Sequence, residues 1–209
     1  MDSSLVAWQQ PTSPAAEAFR QFGAIAAATT PEERLLSIGI TSPTGAVGKS
    51  ATAANLAVAL AQRGAKVVLV DADLRAPALH TLFQADNTSG LSVVLGGGAS
   101  PASALQDSGI PQLSLLTAGP ATSDSHRLLA GADKASLFNE LKQQADYVVV
   151  DLPPVLGRSD ALELAPLLDG VFLVLRAGSS KREEGQQAKT LLQRVNVSIL
   201  GIVFSNTIQ

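Results

Sequence analysis

Short runs of β-branched and aliphatic residues recur along the chain: RLLSIGIT at 34–41, KVVLVDAD at 66–73, ADYVVVDLPP at 145–154, DGVFLVLRAG at 169–178 and VSILGIVFSN at 197–206. None alternates cleanly between apolar and polar residues. Strands read this way when both faces of their sheet are covered, because every side chain is then buried whichever way it points. Segments with helical periodicity separate them, namely PAAEAFRQFGAIAAA at 14–28, KSATAANLAVALAQRG at 49–64, DKASLFNELKQQA at 133–145 and KREEGQQAKTLLQRV at 181–195. Pro14 suits a helix start and Gly64 a helix end. Alternation of this kind specifies an α/β fold, a doubly wound, mostly parallel sheet flanked by helices, with ligands at the carboxyl ends of its strands.

The 209 residues, 46% hydrophobic and 16% charged, are enough for one large core, so a single domain is expected over 14–209. Residues 1–13 are polar apart from a few apolar side chains, include Pro11 and Trp8, and read as a flexible N-terminal arm. The stretch 84–125 is richer in Gly, Ser and Pro and is expected to be irregular, with one short strand, LSLL; Gly96 to Gly98 read as a plain turn. A formal charge of −3 and a pI near 5.3 provide no basic field and speak against nucleic acid as a partner. Without cysteine there is neither a disulfide framework nor a Cys-based metal site, and His80 and His126 lack metal-ligand spacing. No apolar run approaches the roughly 20 residues that span a bilayer, and the start MDSSLVAWQQ lacks the order of a signal peptide, so a cytoplasmic location is expected.

The chemistry concentrates after the first apolar run. TSPTGAVGKS at 41–50 ends as a phosphate loop does, in Gly48, Lys49 and Ser50, although the first glycine of GxxxxGK[ST] falls on Pro43. A buried strand runs in and a long helix runs out, so the helix start offers free N–H groups and the positive end of its dipole. Asp71 and Asp73 close the second strand; turn capping and ligand binding both fit them. Asp151 closes another apolar strand, where a Walker B carboxylate holds a magnesium water. Three carboxylates at strand ends beside a Lys-Ser loop form one constellation.

With these segments in hand, the chain resembles the bacterial tyrosine kinases, or BY-kinases, of capsule and exopolysaccharide synthesis, within the MinD/ParA-like P-loop ATPases. The resemblance rests on SPAAEAFR at 13–20, the loop and helix at 41–64, VVLVDADLRAPALHTLF at 67–83, GLSVVL at 90–95 and the stretch 146–178. It implies ATP and Mg²⁺ as cofactors. Gly45, Ala46, Val47, Gly48, Lys49, Ser50 and Ala51 would bind the phosphates; Ser50, Asp73 and Asp151 would hold the metal; Lys49, Asp71, Asp73 and Asp151 would form the catalytic set. Asp73 would either bind metal or accept the tyrosine proton. The resemblance further implies a transmembrane chain-length activator as partner, a place at the inner face of the membrane through it, and a homo-oligomer built through the Glu17/Arg20 helix.

The chain also departs from that pattern. Thr44 stands where MinD/ParA ATPases carry a signature Lys, and Gly45-Ala46 where BY-kinases often have Pro-Gly. Gly23 replaces a second Arg of the assembly helix. Relatives place Asn after the last strand to meet the base; Ser205 and Asn206 are both candidates here. Arg176 suits either the nucleotide site or a surface salt bridge. The sole tyrosine, Tyr147, opens an apolar strand and reads as core, so the acceptor is expected on another protein or outside this sequence. The alternative activity is an ATP-driven assembly switch of the MinD/ParA kind without tyrosine phosphorylation.

Overall fold

The computed structural model describes residues 1–28 and 36–205. Among them seven strands, β1 (Leu36–Thr41), β2 (Val67–Asp71), β3 (Gln106–Ile110), β4 (Leu113–Leu116), β5 (Tyr147–Asp151), β6 (Gly170–Arg176) and β7 (Ile199–Ser205), make one sheet in the order β3-β4-β2-β5-β1-β6-β7. All neighbours are parallel except β3 and β4. The doubly wound, mostly parallel sheet expected from the apolar runs is therefore present. Its register sets the site: Ile40 lies opposite Asp151, and Asp151 opposite Asp71, so the ends of β1, β5 and β2 meet at one edge.

Helices α1 (Val6–Gln9), α2 (Pro14–Ala28), α3 (Lys49–Gln62), α4 (Leu79–Phe83), α5 (Leu91–Leu95), α6 (Pro101–Ala104), α7 (Ser125–Gly131), α8 (Lys134–Gln144), α9 (Asp160–Leu164) and α10 (Arg182–Arg194) cover the sheet. Two apolar cores result, one on each face: Val148 and Val150 of β5 join Phe138 of α8, while Val149 joins Leu56 and Leu60 of α3. That period of two is why β5 reads as a continuous apolar run. Each fully buried Val, Leu, Ile or Phe contributes about 1.5–3 kcal/mol.

Helix α3 is buried on nearly all sides from Thr52 to Ala61 because a third layer lies over it. In that layer Gly23 of α2 is buried, and a Cβ there would sit 3.4 Å from Ala59 Cβ. The position thus faces α3, and an Arg there would have to bury its charge.

Of residues 1–13, expected as a flexible arm, Ser4 to Ala7 are anchored on α3 while Trp8 to Thr12 are exposed. Leu5 and Ala7 are buried; Asn55 of α3 donates from Nδ2 to Ser4 O and Ala51 O, and its Oδ1 accepts the Ala7 amide at 2.8 Å. Gln62 Nε2 donates to Ala7 O. A buried Asn side chain in an apolar helix requires such partners, and the arm provides them. In the stretch 84–125 LSLL is β4, and β3, which its polar sequence QDSGI does not suggest, pairs with it at the sheet edge. Gly96 to Gly98 form a turn after α5.

Candidate functional site

The loop that follows β1 turns through two left-handed residues, Ala46 at φ 60° and Gly48 at φ 83°. Gly48 ends the loop and α3 begins at Lys49, so the amides of Lys49, Ser50 and Ala51 are those a helix leaves without internal partners. Val47 is buried, and its carbonyl accepts the Ser205 hydroxyl from the end of β7. Arg176 Nη1 donates to Ala46 O at 3.5 Å, so Arg176 braces the loop rather than forming a surface salt bridge. Gly45 has open space around it. Asn206 lies outside the described residues.

Lys49 is buried and bridges two carboxylates, with Nζ 2.5 Å from Asp151 Oδ1 and 3.8 Å from Asp73 Oδ2. It also donates to Ser50 Oγ at 3.3 Å. Burial pushes the Asp151 carboxyl up, against the opposing pull of Lys49 and the Ser50 hydroxyl. Asp151 Oδ2 is buried and has no hydrogen-bond partner, an orphan that a cation or its water would satisfy. The described residues hold no group of three or more His, Cys, Asp and Glu side chains able to cage a metal. Mg²⁺ needs no such cage: one or two carboxylates, a hydroxyl, phosphate oxygens and water suffice, and Ser50, Asp151 and Asp73 fit that donor set.

The two aspartates after β2 separate sharply. Asp71 is fully buried; its Oδ2 accepts the amides of Ala78 and Leu79 at 2.9 Å each, and its Oδ1 that of Asp73 at 3.2 Å. Desolvation, with the Asp151 charge behind it, raises the Asp71 carboxyl from an ordinary 3.8 to about 7. Both its oxygens are taken up by main chain, so Asp71 stitches the segment 72–79. Asp73, whose Oδ1 accepts, among the described residues, only the Ala76 amide at 3.2 Å, instead lines a cavity of about 460 Å³ together with Gly45, Ala46, Lys49, Ser50 and Arg158.

The wall opposite the loop is built by the segment after β5. Thr41 Oγ1 donates to Pro153 O at 2.8 Å, Val155 N to Ser42 O at 2.9 Å and Leu156 N to Pro43 O at 3.0 Å, so this segment is laced to the start of the loop. Farther on, Asp160 Oδ2 accepts the Ser125 hydroxyl at 2.6 Å, and Arg75 Nε reaches Ser125 Oγ at 2.7 Å and Asp160 Oδ2 at 3.4 Å. Between these anchors Arg158 Nη1 lies 3.8 Å from Asp73 Oδ1. Sequence reasoning missed Arg158, Ser125 and Asp160; the only signal was an isolated basic residue two positions before an acidic helix start.

Glu17 and Arg20 are half-exposed or exposed on α2 and pair with each other, while Arg20 Nη1 also donates to Pro11 O at 2.7 Å. His80 is half-buried beside Thr81 Oγ1 and His126 is exposed. Tyr147 starts β5, at the opposite end of that strand from Asp151 and packed beside the α3-side core.

Comparison with known proteins gives a consistent neighbourhood. The ParA family model, described as NUBPL iron-transfer P-loop NTPase, matches residues 36–207. The tyrosine-protein kinase YwqD of Bacillus subtilis (strain 168) is 36% identical over 205 residues, 98% of this chain and 86% of that protein. Among solved structures, the chimerical protein CapA2B2 superposes with a TM-score of 0.91 at 33% identity, covering 100% of this chain and 91% of that one. The kinase domain of the Escherichia coli tyrosine kinase ETK superposes with a TM-score of 0.92 at 29% identity, covering 98% and 80%. The septum site-determining protein MinD of Pyrococcus horikoshii OT3, complexed with Mg-ADP, is more distant, with a TM-score of 0.70 and 25% identity over 81% of this chain and 69% of that one.

Proposed function

As the chain belongs to the bacterial tyrosine kinases within the ParA-type P-loop NTPases, we propose that it transfers the γ-phosphoryl group of Mg-ATP to tyrosine on a partner protein. The observation that carries this reading is the convergence of Lys49, Ser50 and Asp73 on one cavity, with Asp151 buried behind Lys49, where β1, β2 and β5 end. Mg-ATP, when bound, supplies the transferable group and the cation that offsets its charge. The amides from Gly45 to Ala51 and the Lys49 ammonium bind and orient the phosphates, as main-chain donors at a helix start do. Ser50 and Asp151 hold the cation. Asp73, the aspartate that lines the cavity, binds it too or takes the proton of the attacking hydroxyl, and either role needs the fixed placement that Asp71 gives it. Tyr147 is too far along β5 to serve its own site, so the acceptor is on another protein or outside this sequence.

The family and the absence, among the described residues, of any helix long and apolar enough to cross a membrane support a kinase held at the inner membrane face by a transmembrane activator of capsule or exopolysaccharide synthesis. The exposed Glu17/Arg20 face of α2 supports self-association there. Incubation with labelled ATP and Mg²⁺, with and without an activator segment and a tyrosine-rich peptide, tests the proposal. Phosphotyrosine that depends on Lys49 is the expected product; phosphate release with no phosphotyrosine would instead establish the ATP-driven switch.

A further inference from the structure

We infer that Arg158 senses the terminal phosphate and makes this site prefer a nucleoside triphosphate to a diphosphate, an inference that rests on the nucleotide reading above. Each other cation near the cavity is already taken. Lys49, 2.5 Å from Asp151, is the ammonium that the reading above already commits to the loop-bound phosphates, Arg75 is turned onto Ser125 and Asp160, and Arg176 caps the carbonyl of Ala46. Among the described residues Arg158 has only the 3.8 Å contact to Asp73, beyond hydrogen-bond distance, and its side chain is 39% exposed at the cavity.

Its backbone lies between two anchored segments. The bonds Thr41 to Pro153, Ser42 to Val155 and Pro43 to Leu156 tie the preceding residues to the phosphate loop itself, and buried Asp160 pins the following ones through Ser125 and Arg75. Gly157, at φ 82°, makes the left-handed turn that places Arg158 between the two anchors. A guanidinium fork on a backbone fixed to the loop is suited to planar, bidentate recognition of phosphate oxygens, and loses little entropy in forming those bonds. The charge pattern points the same way. Asp73 faces two cations, Lys49 and Arg158, across one cavity, so a ligand that adds negative charge beside Asp73 can draw Arg158 from it, and the outermost phosphate adds the most.

The test is calorimetric binding of AMP-PNP and of ADP, each with Mg²⁺, to the wild type, Arg158→Ala and Arg158→Lys, with thermal melting of each protein without nucleotide as the check of folding. The wild type should bind AMP-PNP more tightly than ADP. Arg158→Ala should lose about tenfold or more in AMP-PNP affinity, the equivalent of one charge-assisted contact of about 1.4 kcal/mol, while ADP affinity moves by about twofold or less. Arg158→Lys, which keeps the charge but not the fork, should retain part of the preference. Equal weakening of both nucleotides, or an unchanged ratio in a folded Arg158→Ala protein, would overturn the inference and leave the kinase reading standing. A wild type that binds neither nucleotide would overturn both.

Discussion

The wall of the cavity that follows β1 presents main-chain groups, whereas the wall made by the segments after β2 and β5 presents side chains. On the first, the amides from Gly45 to Ala51 are the groups proposed to bind the phosphates, and the side chains, Lys49 apart, are small or turned inward. On the second, Asp73 and Arg158 face the cavity while Asp71, Asp160 and Ser125 fasten the backbone that carries them. Substitutions should therefore act differently on the two walls. Backbone donors survive a change of side chain, but a carboxylate or guanidinium does not.

Lys49 is the exception on the first wall and should give the largest effect. Lys49→Met is expected to reduce phosphoryl transfer by about 10²–10³ in single-turnover assays, as loss of a key charge-stabilising donor does. It also strips Asp151 of its cation. Because burial already pushes that carboxyl up, Asp151 should take a proton and the protein should still fold, with a lowered melting temperature. Transfer at the wild-type rate would remove Lys49 from the mechanism and break the comparison at its strongest point.

On the second wall the two aspartates two residues apart should respond in opposite ways. Asp73→Asn is expected to lower transfer by about 10² with a smaller loss of stability than Asp71→Asn, since its carboxylate faces the cavity and accepts one amide, that of Ala76, rather than three. Asp71→Asn should instead cost about 1–3 kcal/mol in denaturant unfolding, because an amide nitrogen would confront one of the backbone N–H donors that Asp71 now accepts. An Asp71→Asn protein of full stability but no activity would instead support the catalytic role that the family resemblance implies for Asp71.

The same residue makes a pH prediction. Folding raises the Asp71 carboxyl from 3.8 to about 7, so between those values the native protein holds a proton that the unfolded chain has released. Its contribution is therefore fully present below about pH 4, is lost as pH rises through about 7, and is constant above that. The stability difference between wild type and Asp71→Asn should shrink in wild type's disfavour over that window. A difference that is flat from pH 4 to 8 would show that the Asp71 carboxyl titrates at an ordinary value.

How far the sequence reveals each wall follows from where its information lies. Strands β1, β2, β5, β6 and β7 are readable because two-sided burial enforces apolar runs, and Gly48, Lys49 and Ser50 because a loop that binds through its backbone has a local signature. Strand β3 is not readable: QDSGI gains its place by pairing with β4, with Ser108 Oγ donating to Leu113 O at 2.6 Å, a tertiary fact. The first thirteen residues read as free because their anchor, Asn55, is 48 positions away from Ala7. Arg158 was invisible for the same reason. Its nearness to Asp73 is created by the lacing of 153–156 onto 41–43, which no short motif records.

The smallest effect tests the first wall from the other side. Ala46 holds φ at 60°, a left-handed conformation that crowds Cβ against the neighbouring carbonyl and costs an L residue about 1–2 kcal/mol. Glycine escapes that strain, at the expense of about 0.5–1 kcal/mol of extra chain entropy in the unfolded state. Ala46→Gly should therefore raise stability slightly, by under about 1 kcal/mol, and lift the melting temperature by about 2–4 °C at most. Nucleotide affinity should hold or improve, since the amide of residue 46 remains while the methyl that lines the cavity is gone. Ala46→Val should move both measurements the other way, because a β-branched side chain tolerates positive φ least. If Ala46→Gly proves less stable and binds more weakly, the methyl is packing usefully against the ligand or the loop, and the first wall reads through its side chains as much as the second does.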